Sequence, residues 1–158
     1  MTETEMQNPP QAGDTAPDFT LASTSGENVT LSALRGTPVL IAFFPLAFTG
    51  VCSIELKCFE EDYDQFAAKG VEVLPISVDS TATLKEFKTK LGARTEMLSD
   101  FKRDVSQAYG VLIPDRFYSN RAYFLIDREG VVKWAHVEEH PGKRRENAEI
   151  LAQIDKLG

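Results

Sequence analysis

Cys52 and Cys58 are the only thiols in a chain of 158 residues, six positions apart in the stretch PLAFTGVCSIELKC (45–58), where Pro45 and Thr49 precede the first of them. Such residues admit three chemistries: a redox pair, part of a metal site, or one reactive thiol with an incidental neighbour. A structural zinc site takes about four ligands, its cysteines usually about two to four residues apart. Here five residues intervene, and the only histidines, His136 and His140, lie about 80 positions downstream. Their spacing would suit one helix face, but His136 falls in a predicted strand and Pro141 follows His140. Metal binding is disfavoured, and no cofactor is expected. His140 as the base of a Cys–His hydrolase has as little support, since nothing suggests an oxyanion loop beyond a helix terminus. A disulfide oxidoreductase normally has about two residues between its cysteines, not five. One reactive thiol with an uncertain companion is the better reading.

That thiol reacts as the thiolate, and the elements around it favour the ionised form. Pro38–Phe44, PVLIAFF, is continuously apolar, β-branched or aromatic, the composition of a strand buried on both faces. From Cys52 the period changes: Leu56, Phe59, Tyr63 and Phe66 recur at helical spacing and predict one helix ending at Lys69-Gly70. Strand, short loop and helix put Cys52 in a first helical turn, at the carboxyl end of a central strand. Free N–H groups and the positive end of the helix dipole stabilise an anion there. Open α/β sheets place their sites at those strand ends.

The rest of the chain must build the sheet that carries this turn. Ala16–Ser23 reads as a strand, VTLSALRG as a strand end with a helical turn, and Val71–Asp79 as a second buried strand. Thr83-x-x-Glu86 predicts a capping box opening a helix through Leu91, with Gly92 past its end. Ser99-Asp100 predicts the start of another helix, closed by Gly110. Ala122–Val137 reads as strand–turn–strand, and Glu146–Leu157 as a last helix. Residues 1–10 are expected to form a flexible tail and 11–158 a single domain. The expected fold class is α/β, a central mixed sheet flanked by helices.

The 17 Lys and Arg against 24 Asp and Glu give a net charge of −7, which disfavours nucleic-acid partners. Lys143–Arg145, the densest basic run, is flanked by glutamates and reads as a solvated helix start. The longest apolar run, Pro38–Phe48, falls well short of the roughly 20 residues of a spanning helix, so no membrane association is expected. With no secretory pattern at the amino terminus, a cytoplasmic location is the default.

PLAFTGVC matches the peroxiredoxin motif P-x-x-x-[TS]-x-x-C, and GDTAPDFTL, LIAFFP, VLPISVD and RAYFLIDREGVV resemble peroxiredoxin segments in the expected order. The resemblance spans about residues 11–157. The FFPLAFTGVC…EL form is most similar to the AhpE-like, one-cysteine-type subgroup, with the bacterioferritin-comigratory (Q-type) subgroup next. It implies a thioredoxin-like fold and reduction of hydrogen peroxide and small organic hydroperoxides, Cys52 being the peroxidatic cysteine that becomes a sulfenic acid. Thr49 would hydrogen-bond thiolate and peroxide, Pro45 would shield the sulfur, and Arg121 would hold the thiolate and the charge developing on oxygen. Glu55, at the family's glutamate position, would orient Arg121. A thiol reductant, thioredoxin-, glutaredoxin- or mycoredoxin-like, would regenerate the enzyme, and a homodimer is compatible, with Val111–Asn120 as candidate contact. The alternative is a peroxide-sensing relay that passes its oxidation to a partner protein.

Cys58 stays open between resolving cysteine and passive residue. Six helical residues advance about 9 Å, whereas a disulfide needs Cα atoms within about 7 Å. Bonding would therefore require the helix to unwind. The Q-type subgroup places its partner cysteine five positions on, so it gives no direct precedent for six.

Overall fold

The computed structural model describes residues 8–157, with the side chain of Cys52 excepted. Most of the expected tail, residues 1–7, therefore lies outside the described residues. Among the described residues, nine strands and five α-helices follow in the order β1 (Thr20–Ser23), β2 (Asn28–Thr30), β3 (Val39–Phe43), α1 (Gly50–Glu61), α2 (Tyr63–Ala68), β4 (Glu72–Ser77), α3 (Thr81–Leu91), β5 (Leu98–Ser99), α4 (Asp104–Ala108), β6 (Leu112–Ile113), β7 (Tyr118–Ser119), β8 (Ala122–Ile126), β9 (Val132–Val137) and α5 (Asn147–Asp155). Seven strands make one sheet in the order β2-β1-β5-β4-β3-β8-β9, and β6 and β7 pair separately. β3 runs parallel to β4 and β4 to β5, while β8 is antiparallel to β3 and to β9. This is the expected mixed sheet.

The run VLIAF of β3 is buried at every position because both of its faces are covered. Val39, Ile41 and Phe43 join one core with Val105 and Tyr109 from the α4 side. Leu40, Ala42 and Phe44 join the other with Leu56, Phe59, Phe66, Leu84, Phe87 and Ile150, from α1, α2, α3 and α5. The same alternation on β8 sends Phe124 and Ile126 to the first core and Tyr123 and Leu125 to the second. The antiparallel register places Ala122 opposite Phe43, so the start of β8 lies beside the carboxyl end of β3.

Three expectations need correcting. The single helix from Cys52 to Lys69 is two helices, because Asp62 leaves helical geometry (φ −102°, ψ 14°). Its carboxylate accepts from Gln65 Nε2 and from Asn147 Nδ2, both at 2.9 Å, while its carbonyl accepts from the Gln65 and Phe66 N–H groups that open α2. The capping box at Thr83 is displaced by one turn: Ser80 is the cap, its hydroxyl accepting from the Thr83 N–H, while Gly92 closes the helix at φ 65° as expected. Ser99 begins no helix but pairs with Ser77 and Ala22 in β5. Asp100 acts later, its carboxylate accepting from the N–H groups of Val105 and Ser106 in α4. The last helix and the hairpin of β8 and β9 stand where the periodicity puts them.

Candidate active site

The loop between β3 and α1 is held from two sides. Asp79, just past β4, accepts the Ala47 N–H at 2.8 Å and the Ser77 hydroxyl at 2.7 Å. Ser119 of β7 donates to the Phe44 carbonyl at 3.3 Å. Pro45, with no N–H to offer a ladder, follows and is buried. Phe48 then adopts φ 66°, a left-handed geometry rare for a bulky residue. Its ring stands 5.0 Å from that of Phe87, centroid to centroid. Phe44 is fully buried but Phe48 is half exposed, so only the first is a core residue.

Thr49 is the residue before α1, with extended backbone, and its carbonyl accepts from Ser53 N at 2.9 Å. Its side chain does not cap the helix. The hydroxyl donates instead to the Leu46 carbonyl at 2.8 Å, which leaves the oxygen lone pairs free to accept. Cys52 is the third residue of α1 and its side chain lies outside the described residues.

Pro45, Leu46, Thr49, Gly50 and Val51 line one cavity of about 350 Å³ together with Tyr118, Arg121, Pro141 and Gly142. Of the expected site residues, Pro45, Thr49 and Arg121 thus meet at the first turn of α1. Arg121 is 1% exposed, which excludes an ordinary surface charge at a strand start. Its Nη1 donates to Glu55 Oε1 at 2.8 Å, and its Nε and Nη2 donate to the Pro141 carbonyl at 3.2 and 3.0 Å. Glu55 is buried and receives a second hydrogen bond, from the Tyr123 hydroxyl on Oε2. Burial pushes the Glu55 carboxyl above its ordinary range, against the lowering effect of Arg121 and Tyr123. Burial likewise pushes the Tyr123 phenol up, helped by the adjacent carboxylate, so it stays protonated and serves as a donor.

Cys58, on the helix line of Glu55 and Asp62, is half-buried. Its carbonyl accepts from Asn147 Nδ2 at 2.9 Å, which ties the end of α1 to α5. The Lys143–Arg145 run is not merely a solvated start. Arg145 forks onto the buried Glu138 carboxylate at 2.8 and 3.3 Å, and α5 begins two residues later. His136 Nε2 lies 3.2 Å from Glu138, whereas His140 Nδ1 accepts from Gly142 N at 3.1 Å in the following loop. Sequence reasoning missed Asp79, Tyr123 and the Pro141 carbonyl. Only Tyr123 had a usable signal, two residues after Arg121 and hence on the same strand face.

A thioredoxin-like mixed sheet, with proline, threonine and a buried arginine at the amino end of a cysteine-bearing helix, defines the peroxiredoxin class. Residues 12–135 match the AhpC/TSA family, and the chain belongs to that family of thiol-dependent peroxidases. It is 41% identical over 137 residues to alkyl hydroperoxide reductase E of Mycobacterium tuberculosis, covering 85% of this chain and 89% of the relative. It is 35% identical over 127 residues to the chloroplastic peroxiredoxin Q of Oryza sativa subsp. japonica, covering 78% of this chain and 58% of that one. Among solved structures, the reduced 2-Cys peroxiredoxin of Plasmodium vivax superposes with a TM-score of 0.86 at 33% identity, covering 94% of this chain and 82% of the other. The family is one of peroxidases using peroxide and a thiol reductant, which does not favour the relay alternative. Among the described residues no helix is long and apolar enough to cross a membrane.

Proposed function

We propose that Cys52 is the peroxidatic cysteine and that the cavity lined by Pro45, Thr49 and Arg121 receives hydrogen peroxide or a small organic hydroperoxide. The observation that carries this reading is the convergence of those three residues on the first turn of the helix to which Cys52 belongs. The helix terminus favours the thiolate. Its sulfur attacks one peroxide oxygen, the O–O bond breaks, and the electron pair leaves with the second oxygen, which takes a proton as water or alcohol. Cys52 becomes a sulfenic acid. Arg121 stabilises the charge developing on oxygen from a water-poor, preorganised position. Thr49, its own proton spent on Leu46, accepts a hydrogen bond from the peroxide.

The cycle closes through an external thiol that attacks the sulfenic sulfur and displaces water, forming a mixed disulfide; a second thiol then attacks the reductant's sulfur, expels the Cys52 thiolate and leaves the reductant as a disulfide. A small dithiol protein of the thioredoxin, glutaredoxin or mycoredoxin kind fits that step. Cys58 stands aside: it lies six residues along the same helix, whose end Asn147 clamps, and a disulfide would need that helix to unwind. Residues 11–158 act as one domain, in the cytoplasm, with Phe117 and its neighbours in Val111–Asn120 as the contact of a homodimer; Phe117 is 65% exposed.

Peptide mass analysis after one equivalent of hydrogen peroxide tests the reading. One added oxygen, confined to the Cys52 peptide, is expected. A loss of two hydrogens that vanishes in Cys58→Ser would overturn the one-cysteine cycle. An unmodified Cys52 would overturn the site.

A further inference from the structure

Tyr123 has no part in the reaction described above, yet it touches both supports of Arg121. Its hydroxyl donates to Glu55 Oε2, whose partner oxygen holds Arg121 Nη1. The same hydroxyl accepts the backbone N–H of Arg145 at 3.0 Å. Arg145 belongs to the segment between β9 and α5 that carries the Pro141 carbonyl, the acceptor of Arg121 Nε and Nη2. One phenol oxygen therefore joins the carboxylate on α1 to the loop on the opposite side of the guanidinium. Tyr123 itself is fully buried in the core with Leu56 and Phe59, and its ring stacks on Trp134 at 6.2 Å and 25°.

We propose that Tyr123 is a positioning residue of the peroxidase site, its hydroxyl fixing Glu55 and the Pro141 loop as the two halves of the cradle that aims Arg121. The proposal rests on the assignment of Arg121 to the reacting oxygen. A buried carboxylate with one oxygen unpartnered takes up a proton more readily, and a protonated Glu55 no longer gives Arg121 a charge-assisted partner. The other charged groups acting on Glu55 are Arg121 itself and Arg144. On the adjoining strand β9, His136 faces Glu138, which in turn holds the Arg145 side chain. The arrangement was legible only in part: strand periodicity places Tyr123 beside Arg121, but the reach of its hydroxyl to Glu55 and Arg145 depends on how α1 and the loop pack.

The test compares wild type with Tyr123→Phe and with 3-fluorotyrosine placed at position 123, a more acidic and hence stronger donor of nearly the same shape. Two quantities are read: the midpoint of the Glu55 carboxyl titration by carbon-13 NMR, and the pH profile of the stopped-flow rate with hydrogen peroxide. Tyr123→Phe is expected to raise the Glu55 midpoint and the acid limb of the rate profile together by about one pH unit, a tenfold change in proton affinity. On the acid side of that limb its rate is expected to fall about tenfold, as a one-unit shift requires. Fluorotyrosine is expected to move both midpoints the opposite way, and it decides the matter if the Phe variant does not fold. A merely structural tyrosine would cost melting temperature and leave both midpoints in place, and that result overturns the proposal. Wild-type protein that reacts no faster than Cys52→Ser would instead overturn the site assignment beneath it.

Discussion

Glu55 Oε1 and Arg121 Nη1 stand 2.8 Å apart, with both side chains almost wholly removed from solvent. A pair this deep costs several kcal/mol to desolvate and returns little net stability, so it is weak evidence for a stabilising role. Removing one partner is a different matter. Glu55→Ala leaves a buried guanidinium with no carboxylate and should lose about 3–5 kcal/mol of folding stability, read by urea denaturation. Arg121→Ala should slow peroxide reduction by about 10²-fold or more. Equal rates in wild type and Arg121→Ala would remove arginine from the mechanism.

The loop carrying Pro45 and Thr49 is predicted to depend on Asp79. Asp79→Ala deprives the Ala47 N–H and the Ser77 hydroxyl of their acceptor, at a cost of about 1–3 kcal/mol. Because that loop presents Thr49, the peroxide rate should fall about tenfold as well. An unchanged rate in a destabilised variant would show that the loop keeps its shape without this anchor.

Asn147 offers a third test, since its amide holds both the Cys58 carbonyl and the Asp62 carboxylate. Asn147→Ala should loosen the end of α1 by about 1 kcal/mol, seen as roughly fivefold faster amide exchange near Asp62. Oxidised Asn147→Ala protein should then form more Cys52–Cys58 disulfide than wild type, measured by mass. Unchanged exchange would mean that packing alone holds the helix end.

Stability should also carry the mark of Asp100, whose carboxyl burial pushes above its ordinary value despite hydrogen bonds from Ser106 and Val105. Because the folded state keeps that proton to higher pH than the unfolded chain, the associated stability is fullest below the ordinary carboxylate value. It is lost as pH rises through the raised one. The stability difference between wild type and Asp100→Asn, measured by denaturant melts across this window, should therefore shrink as pH rises. A difference that grows with pH would reverse the sign of the shift.

What the sequence made legible follows from periodicity. The alternation of β3 between two cores, the hairpin of β8 and β9 and the helix spacing of Leu56, Phe59 and Phe66 are local patterns, and each stands in the structure. Thr49 and Arg121 were legible through the spacing of a motif and a resemblance, and Glu55 because the family places a glutamate there. Local rules failed where a side chain finds a distant partner. The Asp62 carboxylate at the helix break is held by Asn147, 85 residues on, and Asp79 anchors a loop 32 residues before it. The Pro141 carbonyl has no signature at all, because any residue would supply one.

The central claim, that the chemistry resides in Cys52, is tested most directly by the second-order rate of peroxide consumption in Cys52→Ser, measured by stopped flow beside Cys58→Ser. The account predicts that the rapid reaction disappears in Cys52→Ser and persists in Cys58→Ser. A Cys52→Ser protein that consumes peroxide at the wild-type rate would contradict it.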